Sequence, residues 1–282
     1  MENWLLYVIG YLVFATIFTQ FYKVATKTLK KAGALTILLQ MAAGVVALLL
    51  CPFFESKFPT DIGVYSMLAI SIVFYAITDR INTTVRSGIE ASTFSMLKQL
   101  STTFMIFAGL VFFKEDFILT KFIGAMLIIF SNIIIFYKKG KFEFNKYLLL
   151  GVLANISFTI ALFLDVNISD NFNLPFYVAL TLIIPALLIM IFERIKPSEI
   201  KEEFKSGNKK AILITAIFWG ISIIFQLRAY QLGNVTVIAP LCALTVITNV
   251  ILGYLFLNEK DNLIRKILAA ILIIISILLI KI

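Results

Sequence analysis

Apolar runs of about 20 residues alternate along the chain with short polar clusters, and about 20 residues at 1.5 Å each is the helix length that crosses a hydrocarbon core. The pattern predicts ten transmembrane helices, at residues 3–22, 33–54, 62–81, 91–113, 119–137, 147–166, 174–192, 211–231, 235–257 and 263–280. Almost no chain is left for a soluble domain. The first run has no basic segment before it and no small-residue cleavage site after it, so it is expected to be retained as a helix. The longest connection, 193–210, puts Ile200 and Phe204 on one helical face with Gly207 beyond them. A short helix on the membrane surface fits, and so does a solvated loop.

Composition makes the class firmer. The 282 residues are 61% hydrophobic and 15% charged, with a mean hydropathy of +0.99, whereas a soluble domain is about half apolar and a quarter charged. An all-α integral membrane protein is expected, in contact with the lipid bilayer. The net charge of +9 does not point to nucleic acid, because the basic residues sit between the apolar runs. The odd-numbered connections hold 19 Lys and Arg, and the even-numbered ones hold four: Lys57, Lys114, Lys121 and Arg228. The positive-inside rule then places the odd connections in the cytoplasm and both termini outside, in a multi-pass protein of the cell membrane.

The chain also repeats itself. Glu115 in Phe-Phe-Lys-Glu and Glu259 in Phe-Leu-Asn-Glu lie 144 residues apart. The same offset pairs Gly109 with Gly253, Leu119 with Leu263, Lys121 with Arg265, Ile123 with Ile267 and Ala125 with Ala269. Five spans repeated once give two halves, 1–141 and 142–282. An odd number of crossings per unit turns the second half upside down, the plan of transporters whose substrate site lies between inverted repeats near the midplane.

Two polar stripes mark candidate faces. In the eighth span Thr215, Trp219, Ser222, Gln226 and Tyr230 follow a helical period, and the offset carries them onto Ser71, Tyr75, Thr78, Asn82 and Arg86 of the third span. Such stripes face a wet cavity, or they bond neighbouring helices together. The fourth span presents Ala91, Ser95, Lys98, Thr102, Met105 and Gly109, matched in the ninth by Val235, Ala239, Cys242, Val246, Asn249 and Gly253. Lys98 is the sharpest feature, about 10 Å into its span. Its ammonium is a partner for a carboxylate or phosphate of a solute, or for Asp79 or Glu90, unless it snorkels back to the interface.

Other residues are read more plainly. Arg228 lies off the stripe and is expected to snorkel, Asp79 and Arg80 to form a local surface pair, and Asp165 to be an interfacial charge. Pro240 frees the Thr236 carbonyl and either kinks the ninth span or adjusts packing. An aromatic stripe in the first span, Trp4, Tyr7, Tyr11, Phe14 and Phe18, pairs Tyr11 with Asn155 through the offset. The site set is therefore Lys98, Tyr75, Thr78, Asn82, Trp219, Ser222, Gln226, Tyr230, Thr102, Asn249, Tyr11 and Asn155.

The segment from Ala91 through Phe-Phe-Lys-Glu115 to Lys121-Phe-Ile-Gly124, and its partner from Ala229-Tyr-Gln-Leu-Gly-Asn through Pro240 to Leu-Asn-Glu259, resemble the drug/metabolite transporter superfamily and its ten-span EamA-like members. The resemblance implies a basket of two inverted five-helix halves around a cavity lined by the first, third, fourth, sixth, eighth and ninth spans. It also implies cytoplasmic termini, opposite to the charge count. Small multidrug relatives place an acid in the middle of the first helix, where this chain has Thr16, Thr19 and Gln20. Glu115 and Glu259 belong to the shared motif and are read as capping residues.

The expected function is a secondary transporter moving a small polar organic metabolite by alternating access. Lys98 tilts the solute toward an amino acid or another carboxylate, and Trp219 with Tyr75 leaves room for a multidrug or quaternary-amine reading. A non-transporting partner subunit is the other alternative. The absence of histidine, of HExxH and of GxSxG weighs against an intramembrane enzyme, a resident metal or a cofactor, and no ATP-binding loop is present. Cys51 and Cys242 stand alone in apolar surroundings and read as free thiols.

Overall fold

A computed structural model of the chain describes residues 3–104, 107, 118–138, 141–142, 145–233, 238 and 241–281. Glu115, Met105, Gly109, Lys114, Val235, Thr236, Ala239 and Pro240 lie outside the described residues. The helices are α1 (Asn3–Thr26), α2 (Ala32–Leu50), α3 (Ile62–Gly88), α4 (Ala91–Leu97), α5 (Leu119–Phe136), α6 (Lys146–Ile168), α7 (Leu174–Phe192), α8 (Pro197–Ser206), α9 (Lys209–Leu232), α10 (Thr245–Phe256) and α11 (Leu263–Lys281). A two-residue antiparallel pairing of Tyr137–Lys138 with Lys141–Phe142 follows α5.

Among the described residues six helices are long and apolar enough to cross a membrane: Trp4–Thr26, Ala32–Phe53, Ile62–Gly88, Lys146–Asn171, Leu174–Phe192 and Lys209–Leu232. They match the first, second, third, sixth, seventh and eighth expected spans. Phe122–Phe136 and Leu241–Phe256 are shorter apolar helices. Around a buried apolar core, burial departs from that of a soluble protein in two respects. Ile9, Ile70, Leu153, Leu213, Ile251 and Leu268 are exposed, while Thr36, Gln40, Ser71, Asn155, Thr215 and Asn249 are buried. Apolar side chains outside and polar ones inside suit a hydrocarbon solvent; this is a multi-pass membrane protein.

Helix starts are set by short polar residues. Asp61, Asn145, Asn173 and Asn208 accept from Gly63, Leu148, Phe176 and Ala211 backbone amides at 2.8–3.1 Å, capping α3, α6, α7 and α9. The chief packing pairs are α1 with α9, α3 with α6, α5 with α11, α2 with α7, α2 with α9, α3 with α7, and α4 with α10. Exchanging the two sequence halves leaves this list unchanged. Close approach needs glycine at one crossing: a Cβ on Gly220 of α9 would sit 2.7 Å from the Ala43 carbonyl of α2.

The connections gather at two ends. Lys31 of the first reaches Glu199 of the seventh at 2.7 Å, Arg80 pairs with Glu193, Lys23 donates to the Arg86 carbonyl at 2.8 Å, and Lys266 pairs with Glu90 at 2.7 Å. These contacts join the first, third, seventh and ninth connections. At the other end the Asn173 amide donates to the carbonyls of Cys51, Phe54 and Glu55, and Gln231 donates to Ser169. Those contacts join the second, sixth and eighth.

The 193–210 connection forms a helix, α8, and it is clipped to the α1–α2 turn. Glu203, buried beneath it, accepts from the backbone amides of Lys30 and Lys31 at 3.1 and 3.0 Å, and Glu202 pairs with Lys30 at 2.8 Å. The Lys31 ammonium and the Lys196 amide both donate to Glu199 and hold its carboxyl below the usual glutamate range.

Candidate functional site

The α4 helix begins under a cap supplied by the other half of the chain. Asn258, in the left-handed region at φ 58°, turns the chain after α10 so that the Glu259 amide donates to the Gly253 carbonyl at 3.0 Å. The Glu259 carboxylate then accepts from the Ala91 amide at 2.6 Å, the Ser92 amide at 3.0 Å and the Ser92 hydroxyl. This is the capping role expected of it. Gly253 makes the space: a Cβ there would meet the Glu259 carboxylate at 2.6 Å.

Seven residues later the helix breaks at Lys98 and Gln99. The bonds tighten to three-residue spacing, with the Gln99, Ser101 and Thr102 amides donating to the carbonyls of Met96, Lys98 and Gln99 at 3.0–3.2 Å. That rearrangement frees the Leu97 carbonyl, and Asn155 of α6 takes it at 3.1 Å while Thr159 takes the Ser101 carbonyl at 3.3 Å. A broken helix is tolerated at membrane depth where neighbours satisfy the freed groups in this way. The equivalent point in the second half is also tightened. Leu244 donates to Leu241 at 3.1 Å and Ile247 to Leu244 at 3.0 Å.

At the break, the Lys98 ammonium sits 3.4 Å above the Phe158 ring of α6 and is half-buried. Asp79 of α3 and Arg86 lie within its electrostatic range, yet among the described residues no carboxylate comes within 4 Å of it. Asp79 is not half of a surface pair with Arg80, as its position in the apolar run suggests. The α3 helix continues to Gly88, so Asp79 lies inside, where it accepts from Gln40 of α2 at 2.9 Å. Arg80 instead pairs with Glu193 and donates to Thr84 at 2.7 Å.

Arg86, at the end of the α3 stripe, is only 5% exposed. Its guanidinium carbon lies 3.9 Å from the Phe94 ring, 4.6 Å from Tyr22 and 5.0 Å from Phe18. Nε and Nη1 have no hydrogen-bond partner among the described residues. Buried donors left open in this way cost free energy unless a ligand takes them. Lys98, Asp79 and Arg86 are therefore electrostatic neighbours inside the protein, two basic side chains and one acidic.

The remaining expected residues fall into two sets. Near the charged group, Tyr75 packs its ring against Phe158 at 6.3 Å, buried Thr78 donates to the Ala154 carbonyl at 3.4 Å, Asn82 is buried, and Thr102 is half-buried past the break. Between α1, α9 and α10 lies the second set. Trp219 stacks on Phe18 at 5.3 Å, Ser222 bonds its own helix at 2.8 Å, and Gln226 reaches the Tyr230 hydroxyl at 3.5 Å. Tyr230 also meets the Cys242 thiol, with Tyr11 nearby. Asn249 is fully engaged, accepting from Gln20 at 2.9 Å and donating to Ser95 at 3.2 Å and the Thr245 carbonyl at 2.8 Å. This second set reads as contact between helices.

Asp165 departs most from expectation. It is 1% exposed rather than interfacial, and its carboxylate accepts from Ser71 at 2.8 Å, Tyr177 at 2.6 Å and Tyr75. A separate crevice of about 400 Å³ between α1 and α9 is lined by Leu6, Tyr7, Phe225, Arg228 and Leu232, away from the charged group.

Residues 145–282 match the EamA-like transporter family. No curated protein matches the chain. A solved structure described only as "Crystal structure of protein" superposes on 96% of this chain and 94% of its own, with a TM-score of 0.59 at 12% identity. That likeness concerns the fold.

Proposed function

We propose, from the match of residues 145–282 to the EamA-like transporter family, which suggests a membrane transporter of small solutes, that the chain is a secondary transporter of a small carboxylate-bearing metabolite such as an amino acid. The observation that carries this reading is the Lys98, Asp79 and Arg86 group at a break in α4. Two cations against one acid leave one positive charge for a solute anion, and Asp79 is placed to receive an ammonium. The quaternary-amine reading has less support, because Phe18 already stacks on Trp219.

Transport by alternating access rests on two five-helix halves, 1–141 and 142–282, in ten spans and inverted orientation. The exchange-symmetric packing, the matching helix breaks and the segregation of odd from even connections support that plan. The odd connections, rich in Lys and Arg, face the cytoplasm of a cell-membrane protein. Rocking one half against the other around Lys98 exposes the charged group to each side in turn.

Purified protein in liposomes should take up labelled L-amino acids or small carboxylates with saturation. Lys98→Gln and Lys98→Ala should abolish that flux. Normal affinity in either variant removes Lys98 from the site, and no flux of any carboxylate favours a non-transporting subunit.

A further inference from the structure

Asp165 is a buried carboxylate inside a membrane protein with no cation beside it. Among the described residues no Lys or Arg nitrogen lies within 4 Å of it. Its surroundings are built from hydroxyls on two other helices: Ser71 and Tyr75 of α3, and Tyr177 of α7. Ser71 and Tyr177 are themselves fully buried. Other polar or charged groups on adjoining elements include Asp79, Arg80 and Arg86 farther along α3, buried Thr181 of α7, buried Ser169, Asp170 paired with Lys57 at 3.9 Å, and Gln231 and Arg228 of α9. An acid in this position is a functional candidate by default.

We infer that Asp165 is the coupling site of the transporter, binding and releasing a proton as the solute moves. Hydroxyls suit both states, since each rotates between donating and accepting. The ionised carboxylate accepts three O–H bonds. When a proton from the aqueous phase adds to Oδ2, the new O–H donates to the Tyr75 oxygen, the bond reverses, and the tyrosine's own hydrogen must turn to another acceptor. One O–H bond forms on the carboxyl and no other covalent bond changes.

The consequence for the solute runs through contacts already described. The Tyr75 ring lies against Phe158, and Phe158 is the platform under the Lys98 ammonium. Turning the Tyr75 hydroxyl away from Asp165 shifts the ring that seats Phe158 beneath Lys98, and on this proposal Tyr75 is the element through which each site biases the other. This inference rests on the solute reading for its second half only; the proton site stands or falls by itself.

The first test needs no solute. Infrared difference spectra of the purified full-length protein, recorded while pH is stepped across its folded range, should contain a protonated-carboxyl stretch that Asp165→Asn removes, Tyr75→Phe shifts and Asp79→Asn retains. A spectrum unchanged by both Asp165→Asn and Tyr75→Phe overturns the proton site. Tyr75→Phe keeps the question open to measurement if the asparagine variant fails to fold. In liposomes supplied with labelled L-amino acids, an imposed proton gradient should drive accumulation in the wild type and not in Asp165→Asn. Accumulation equal with and without the gradient in the wild type overturns the coupling while leaving carboxylate transport intact.

Discussion

An ammonium in the middle of a membrane helix costs about 2.5–3.5 kcal/mol on insertion scales, and a desolvated cation–π contact returns about 2 kcal/mol. Phe158 therefore offsets most but not all of the cost of Lys98, and Asp79 supplies attraction at longer range. Arg86 is the more telling residue, because three rings surround it but two of its nitrogens are open. Arg86→Met removes open donors as well as ring contacts, so thermal stability should change little. A charge-assisted bond to a solute is worth about 1.5–3 kcal/mol, so carboxylate affinity should fall tenfold or more. Unchanged affinity in Arg86→Met would show that its rings, not a solute, are its purpose. Lys98 was legible in the sequence because a lysine stands out in an apolar run. The sequence puts Arg86 on a polar stripe and offers Asp79 as a partner of Lys98, but the depth of Asp79 and Asp165 is not legible there, since positions near the ends of apolar runs resemble surface charges. Their partners, Gln40, Phe94 and Tyr177, come from other helices.

At the scale of the element, each break and each cap is completed by a helix distant in sequence. The Glu259 cap on α4 ties the second half to the first, and Lys266 adds a bond to the Glu259 carbonyl at 3.2 Å while pairing with Glu90. Glu259→Gln keeps one acceptor oxygen but sets an NH2 group against either the Ala91 or the Ser92 donors, and should destabilise the protein by about 1–3 kcal/mol, read as a lower Tm. An unchanged Tm would mean that the cap is replaced by water. The α8 clip responds to pH through Glu199, whose carboxyl is held low by Lys31 and Lys196. A carboxyl lowered in the folded state contributes above its ordinary pKa of about 4.3 and loses that contribution as pH falls through its lowered value. Protease cleavage of α8 should therefore rise on acidification, and Lys31→Met should move the rise to higher pH. Cleavage independent of pH in both proteins would show that Glu203 alone holds the helix. The sequence fits α8 equally to a helix or a loop, because its anchors, Lys30 and Lys31, lie about 170 residues upstream.

For the whole molecule, the apolar periodicity was enough to place α1, α2, α3, α6, α7 and α9, and the charge asymmetry anticipated which connections would gather together. What periodicity could not supply was the depth of each polar group, which is set by packing between halves. Trp219 illustrates this: its stripe fits a wet face and a helix contact alike, and only the packing shows that it stacks on Phe18. The proposed inverted relation makes a prediction through the 144-residue offset, which pairs Lys57 with Lys201, both exposed. In a direct repeat, equivalent positions emerge on one side of the membrane, and in an inverted repeat they emerge on opposite sides. With Cys51 and Cys242 replaced by serine, Lys57→Cys should react with an impermeant thiol reagent in intact cells. Lys201→Cys should react only after the membrane is opened. Labelling of both from the same side would end the inverted arrangement, and with it alternating access about Lys98. Labelling of Lys201→Cys alone in intact cells would keep the inversion and reverse the orientation drawn from the lysine and arginine count.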